Sequence, residues 1–344
     1  MIILIGSLPP PVGGVSKYCE RLLTWLQRQV NTDVLFFDSK KLLAILLYMI
    51  CRRHKIGLVH INCSSPFLIF VYSLSARLIA CSHVAITLHT NYVRPRGILP
   101  QSLLDLSIYL ANHVLVLNKQ SYIKVALLNV NAFLSSSFVP FEAPRQASLP
   151  SLYFLNDPKP VKLSVQSIKS KYSYIISTTA WRRTFQAGDE IYGIDQIITL
   201  VPKHKDCFFI ISDPSSEYLL HYIDSGLAHQ NISFITEPHE FASVLLATDL
   251  FLRNTITDGD STSVREALFL GIPVAATSCV DRPDGCITYT DLNSLSFGSI
   301  LKKTKMPSTE FDLSPPFPAN SMRSLDGIKE ITVANWYSRF WLSM

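Results

Sequence analysis

The chain alternates between short runs that are apolar at every position and longer stretches whose apolar positions recur every three or four residues. Ile2, Ile3, Leu4 and Ile5 form the first such run, and runs of the same kind follow at residues 34–37, 58–62, 84–89 and 114–117. Between them, residues 15–30, 40–55, 66–81 and 103–111 carry apolar side chains at helical spacing, as Tyr18, Leu22, Leu23 and Leu26 do in the first. Runs without polar alternation belong to strands covered on both faces, and the intervening helices supply the cover. The pattern predicts a parallel sheet built from strand–helix units.

The periodicity fades from about residue 140 to residue 170, where prolines stand at 140, 144, 150, 158 and 160. An interdomain linker is expected there. A second series follows, with strands at residues 174–178, 208–212, 232–235, 250–253 and 274–276, and helices at 194–201, 241–247 and 262–270. The last apolar segment, residues 328–342, begins just after Gly327, holds Val333, Trp336, Tyr337, Phe340 and Trp341, and reads as one helix. The expected fold class is α/β, with two Rossmann-like doubly wound domains, residues 1–165 and 166–325, facing a cleft. Residues 326–344 would cross back onto the first domain. Ligands of such sheets bind outside the carboxyl ends of the strands.

Composition narrows this picture. A chain of 344 residues with 48% hydrophobic and 17% charged residues is globular rather than disordered. Its seven cysteines include no Cys-x-x-Cys pair, so they read as reduced core residues rather than a zinc site or a disulfide framework. The amino-terminal run lacks a basic leader and reads as a strand. The longest apolar stretches, residues 42–51 and 65–76, fall short of the ~20 residues needed to span a bilayer. A cytoplasmic protein is expected, peripheral on the inner face of the cell membrane.

Charge is unevenly distributed. Residues 1–150 carry 14 Lys and Arg against 5 acids, and the remainder carries 17 against 21. A basic half beside an acidic half points to an anionic partner for the first, a membrane surface or a phosphorylated acceptor. Residues 42–51 are apolar nearly all round and end in Arg52, Arg53 and Lys55. A helix of that kind is usually buried, with its basic end adding to a peripheral surface; interfacial docking is the other reading.

The first strand is followed by Gly6-Ser7-Leu8-Pro9-Pro10-Pro11-Val12-Gly13-Gly14-Val15. This is not the G-x-G-x-x-G of a nicotinamide dinucleotide site, and the chain has no Walker A sequence. Candidate chemistry is densest from Asp258 to Val274. Asp258-Gly259-Asp260-Ser261-Thr262-Ser263 leads into a helix carrying Glu266, eight positions after Asp258. Free N–H groups at a helix start, with hydroxyls beside them, suit a diphosphate, and the carboxylates suit sugar hydroxyls. Ser263 and Glu266 also fit a capping box, a purely structural role.

This pattern, followed by Ala267-Leu268-Phe269-Leu270-Gly271-Ile272-Pro273-Val274, resembles the E-x7-E region of retaining GT-B glycosyltransferases of family 4. The resemblance is to the bacterial surface-polysaccharide type. Gly13-Gly14-Val15 looks like the family's glycine loop at the first helix. Val59-His60-Ile61-Asn62 and Thr87-Leu88-His89-Thr90 look like its strand ends. Ala111-Asn112-His113-Val114, Gly193-Ile194-Asp195-Gln196 and Ala247-Thr248-Asp249-Leu250 resemble three further motifs in order.

The resemblance implies transfer of a sugar, with retention, from a nucleotide-diphosphate sugar to a lipid-linked or polysaccharide acceptor. No metal, cofactor or nucleic acid is expected. Asp258 would hold donor hydroxyls, helped by Gly259 and Asp260. Ser261, Thr262 and Ser263 would face the diphosphate, and Glu266 would hold the ribose. Gly13 and Gly14 would let the first loop approach the phosphates, and His89 would lie near the transferred sugar. The chain departs from the family where a Gly-Arg and a later Lys normally grip the diphosphate. Trp181-Arg182-Arg183 and Tyr192 stand there, and Asp258 replaces Glu. Arg182 or Arg183 would then supply the phosphate contact. Two other readings remain: a non-catalytic sugar-nucleotide-binding partner of a synthase complex, and a sugar-nucleotide epimerase, which would need a carboxylate pair.

Overall fold

The amino-terminal apolar run forms strand β1 (Ile2–Gly6) of the computed structural model, buried at every position. The structure describes residues 1–344 except 11, 12, 30, 31, 81, 90, 94, 95, 224, 226, 228, 305–322, 326, 327 and 341–344. Thr90, Gly327 and Trp341, noted above, therefore lie outside the described residues.

From β1 the chain runs through α1 (Gly14–Gln29), β2 (Val34–Asp38), α2 (Leu42–Arg52), β3 (Leu58–Ile61), α3 (Pro66–Leu78) and β4 (His83–Leu88). It continues through α4 (Ile98–Leu110), β5 (His113–Val116), α5 (Lys119–Val125) and β6 (Ala132–Ser135). Local chemistry sets several boundaries. Ser65 caps α3 by accepting from the Leu68 N–H, with Pro66 at the first helical position, and Asn118 caps α5 through the Ser121 N–H.

The second unit contains the hairpin β7 (Leu152–Phe154) and β8 (Asp157–Val161), then α6 (Val165–Lys169) and β9 (Tyr174–Thr179). Two short strands, β10 (Phe185–Gln186) and β11 (Asp189–Glu190), form a small ribbon. Next come α7 (Ile194–Leu200), β12 (Cys207–Ser212), α8 (Glu217–Ile223), β13 (Ile232–Ile235), α9 (Phe241–Leu245), β14 (Leu250–Arg253), α10 (Thr262–Phe269), β15 (Val274–Thr277), β16 (Cys286–Tyr289) and α11 (Phe297–Thr304). The sheet order is β16-β15-β14-β9-β12-β13-β7-β8. Strand β9 is central, and later strands are added on either side of it, so β9 and β14 flank the topological switch point.

The chain then returns to the first sheet as β17 (Arg323–Leu325), β18 (Ile328–Ile331) and α12 (Val333–Phe340). The first sheet reads β17-β18-β6-β5-β4-β3-β1-β2. The helix expected over residues 328–342 is thus divided. The open edge of β6 takes residues 328–331 as a parallel strand, and Thr332 starts α12 by accepting from the Asn335 N–H.

Two contact units result: Met1–Phe141 with Phe317–Met344, and Glu142–Pro316. The break falls at residues 141/142 rather than 165/166, because Tyr153 of the hairpin pairs with Phe234 of β13 and joins the second sheet. In the first unit, α2, α3, α4 and α5 cover one face of the sheet through residues such as Met49, Tyr72, Leu104 and Val125. Helices α1 and α12 cover the other through Tyr18, Leu22, Trp336 and Tyr337. His60 lies wholly buried between two hydroxyls, Tyr337 at 2.7 Å and Thr87 at 2.8 Å, and so ties α12 to the sheet. No helix among the described residues is long and apolar enough to cross a membrane.

Candidate active site

The carboxyl ends of β9 and β14 are joined by one side chain. Arg253, the last residue of β14, donates from Nη1 to the Thr179 carbonyl at the end of β9, at 3.1 Å. Its other nitrogens reach Asp258, Nε to Oδ2 at 3.0 Å and Nη2 to Oδ1 at 3.2 Å, a bidentate pair. Arg282 donates from Nη1 to the same Oδ2 at 2.9 Å, and the Thr255 hydroxyl and Gly259 N–H also reach the carboxylate. Burial pushes the Asp258 carboxyl up, but the two guanidiniums outweigh it and hold it below its ordinary range. Two guanidiniums against one carboxylate leave one positive charge at the switch point.

Asp258 thus stands differently from the expectation. A carboxylate has about four lone-pair sites, and five donors converge on this one. It positions Arg253 and Arg282 rather than offering open oxygens to sugar hydroxyls. Arg282, in the turn after β15, is only 2% exposed in its side chain. Its Nε donates to the Thr277 carbonyl at the end of β15, at 2.8 Å. The signal for it was weak, since an arginine beside a proline in a turn usually faces water.

Helix α10 begins beside this cluster. Ser261 is its N-cap residue, and its side chain makes no capping bond; the hydroxyl pairs with Ser263 at 3.1 Å. The capping-box alternative therefore fails, because Ser263 lies inside the helix, one turn before Glu266, instead of at the cap. The first N–H groups of α10, at Thr262 and Ser263, carry the positive end of the helix dipole. Asp260 is held by Arg265 through both oxygens, at 2.9 and 3.0 Å. Glu266 is 5% exposed on the inner side of the helix. The helix stops in a Schellman turn. Gly271 adopts φ +72°, the Ile272 N–H reaches the Ala267 carbonyl at 2.8 Å, and Pro273 prevents continuation.

The segment expected to grip phosphate is built differently. Arg183 donates to Asp195 at 3.0 Å and its guanidinium lies over the Phe185 ring, while Arg182 is exposed. Tyr192 lies beneath Arg253, its ring centre 5.3 Å from the guanidinium carbon. Glu190 accepts from the Tyr192 N–H, from the Ile194 N–H at the start of α7 and from the Tyr218 hydroxyl. Gly193 has φ +63°, and a Cβ there would come within 2.1 Å of the Asn254 carbonyl. Asn254 Nδ2 in turn donates to the Gly193 carbonyl at 3.1 Å. Sequence reasoning missed Glu190, Asn254 and Arg282 as supports of this corner.

In the first unit, Gly13 and Gly14 open α1. The Ser16 hydroxyl bonds both the N–H and the carbonyl of Gly13, and a Cβ on Gly13 would meet only that oxygen, at 4.0 Å. One turn further on, Tyr18 meets His89 edge to face with ring centres 4.7 Å apart. His89 Nε2 lies 3.1 Å from Asn62 Oδ1, while Asn62 Nδ2 has no partner among the described residues. Burial lowers the His89 pKa to about 3, so the ring is neutral near pH 7. Among the described residues, no three His, Cys, Asp or Glu side chains gather to hold a metal ion.

No family model matches the chain, and no curated protein matches it in sequence. Solved structures do resemble it. Alr3699/HepE from Anabaena, in complex with UDP-glucose, has TM-score 0.59 at 14% identity, over 88% of this chain and 89% of that one. Sucrose-phosphate synthase from Thermosynechococcus elongatus has TM-score 0.57 at 12% identity, over 88% and 90%. The catalytic domain of starch synthase IV from Arabidopsis thaliana, bound to ADP and acarbose, has TM-score 0.59 at 10% identity, over 89% and 92%. At such identity the likeness establishes the fold, which is GT-B.

Proposed function

We propose that this chain is a glycosyltransferase moving a sugar from a nucleotide-diphosphate donor to a lipid-linked or polysaccharide acceptor, with retention. The observation that carries the reading is the α10 start, uncapped by its Ser261 side chain, beside the surplus positive charge of Arg253 and Arg282. Oriented N–H groups and fixed guanidinium charge are what a leaving diphosphate requires. Glu266, one turn into the same helix, would take the ribose hydroxyls. HepE in complex with UDP-glucose and starch synthase IV bound to ADP share this fold, which supports a nucleotide-sugar donor.

No side chain needs to act as a strong base. As the anomeric carbon–oxygen bond breaks, the departing phosphate oxygen takes the acceptor proton and the acceptor oxygen bonds on the same face. Arg253 would act through the field it adds, and Asp258 by holding it in place. Within the first unit, His89, neutral and held by Asn62, is suited to hydrogen-bond a sugar hydroxyl. Arg182 is the exposed cation nearest in sequence to this corner and is the candidate for direct phosphate contact.

One observation favours donor binding without turnover. Tyr192 fills the position where the resemblance leads one to expect a phosphate-binding Lys. The epimerase reading, which needs Asp258 and Glu266 as its carboxylate pair, loses ground because Asp258 is bound by Arg253 and Arg282. A thermal-shift screen against UDP, GDP, ADP and their sugars, followed by a transfer assay, separates the remaining two, since a ligand bound only to the folded state raises Tm. Glu266→Ala should weaken donor binding severalfold, and unchanged affinity would remove Glu266 from the site. If Arg182→Ala with Arg183→Ala leaves turnover intact, neither contacts the leaving phosphate.

A further inference from the structure

Sixteen large hydrophobic side chains stand exposed among the described residues, and thirteen of them belong to the first unit. All thirteen lie on α2, α3, α4, α5 or the turn after α5. Those four helices cover the same face of the first sheet, so the exposed residues crowd the outer side of a single layer. Helix α2, expected to be buried, hides only Ile45 and Met49; Leu43 and Leu47 face outward on the opposite side. Ile98 is 89% exposed, Leu127 85% and Val130 93%, which describes protruding side chains rather than the walls of a groove.

The same layer is one-sided in charge. Between positions 40 and 131 there are ten Lys and Arg and one acid, Asp105. Asp105 is engaged by the Tyr92 hydroxyl at 2.6 Å and by Gln101 at 2.7 Å. Lys40, Lys41, Arg52, Arg53, Lys55 and Lys124 are exposed, and none is ion-paired among the described residues. Protruding apolar side chains among unpaired cations fit a yielding apolar medium with anionic heads. A second copy of this face would set cations against cations. A packed protein interface would need a flat or concave apolar centre.

We propose that the outer layer of α2, α3, α4 and α5 is a monotopic docking surface for an anionic lipid bilayer. Ile98, Leu99, Leu127 and Val130 enter the interface, and the flanking cations hold the headgroups. The proposal is independent of the donor chemistry at α10.

Flotation of the full chain with phosphatidylcholine vesicles, with and without phosphatidylglycerol, tests it. Binding should require phosphatidylglycerol. It should be strong at about 0.1 M salt and weak at about 1 M, where the Debye length falls from ~10 Å to ~3 Å. Ile98→Asp with Leu99→Asp should lower the partition coefficient at least tenfold. Lys40→Glu with Lys41→Glu should lower it about fivefold for each cation removed. All four positions are exposed, so Tm and the thermal response to nucleotide should be unchanged, which separates this result from the donor reading. No vesicle binding at low salt, equal binding to neutral vesicles, or full binding by the variants would overturn the proposal. A dimer in light scattering that the Ile98→Asp, Leu99→Asp variant abolishes, without vesicle binding, would assign the face to a second copy instead.

Discussion

At the carboxyl ends of the first sheet, His89 rests against Asn62 and Tyr18 and is uncharged near neutral pH. At the same ends of the second sheet, Arg253 and Arg282 clasp Asp258 and remain net positive. Both sheets are doubly wound, and both place these residues where such folds bind ligands. The winding therefore fixes the place and leaves its charge to a few loop residues. A neutral corner suits hydroxyls, and a cationic one beside a helix start suits phosphate.

Removing Asp258 should break the comparison most severely. Asp258→Ala leaves two buried guanidiniums unopposed, and should cost about 3–5 kcal/mol, read as a large fall in denaturant midpoint. A loss below about 1 kcal/mol would mean that solvent already compensates those arginines. Gly193→Ala tests the support beneath the same corner. Its left-handed backbone and the 2.1 Å approach to Asn254 predict a loss of up to about 3 kcal/mol.

The first unit should respond to acid instead. Burial lowers the His60 pKa from 6.5 to about 3. Below pH 6.5 the unfolded chain binds a proton that the folded chain refuses, so stability is full above that pH and declines toward pH 3. At about pH 5 His60 should account for about 2 kcal/mol of loss, and since His89 is lowered equally, His60→Gln should roughly halve the slope in melts taken across pH. The smallest effect belongs to Lys17, whose half-buried ion pair with Glu20 follows the glycine loop. Lys17→Ala should change stability by no more than ~1 kcal/mol in denaturant melts, and a larger loss would mean that the pair is more than a surface ion pair.

Most of the fold could be read from the chain because parallel strands buried on both faces leave uninterrupted apolar runs, as at Ile2–Gly6 and Cys207–Ser212. Elements defined by partners rather than by pattern were hidden. Residues 328–331 are a strand because β6 presents an edge, and the hairpin at 152–161 belongs to the second sheet through β13. The turn at Asp258 and the helix at Thr262 were legible from small and acidic residues before an apolar repeat. The saturation of Asp258 was not, since Arg282 lies 24 positions further along the chain. Local spacing carries no information about which distant cation will arrive.

The return of the chain to the first sheet bears on synthesis. The first unit is closed by β18 and α12, yet the whole of Glu142–Pro316 is translated before them. A nascent chain that has emerged only to Pro316 has β6 as a bare edge, His60 without its Tyr337 hydroxyl, and one face of β1 without its Trp336 cover. The unit made second can fold first, because every strand of its sheet lies within its own continuous segment. On the ribosome the first-made half is thus the last to mature.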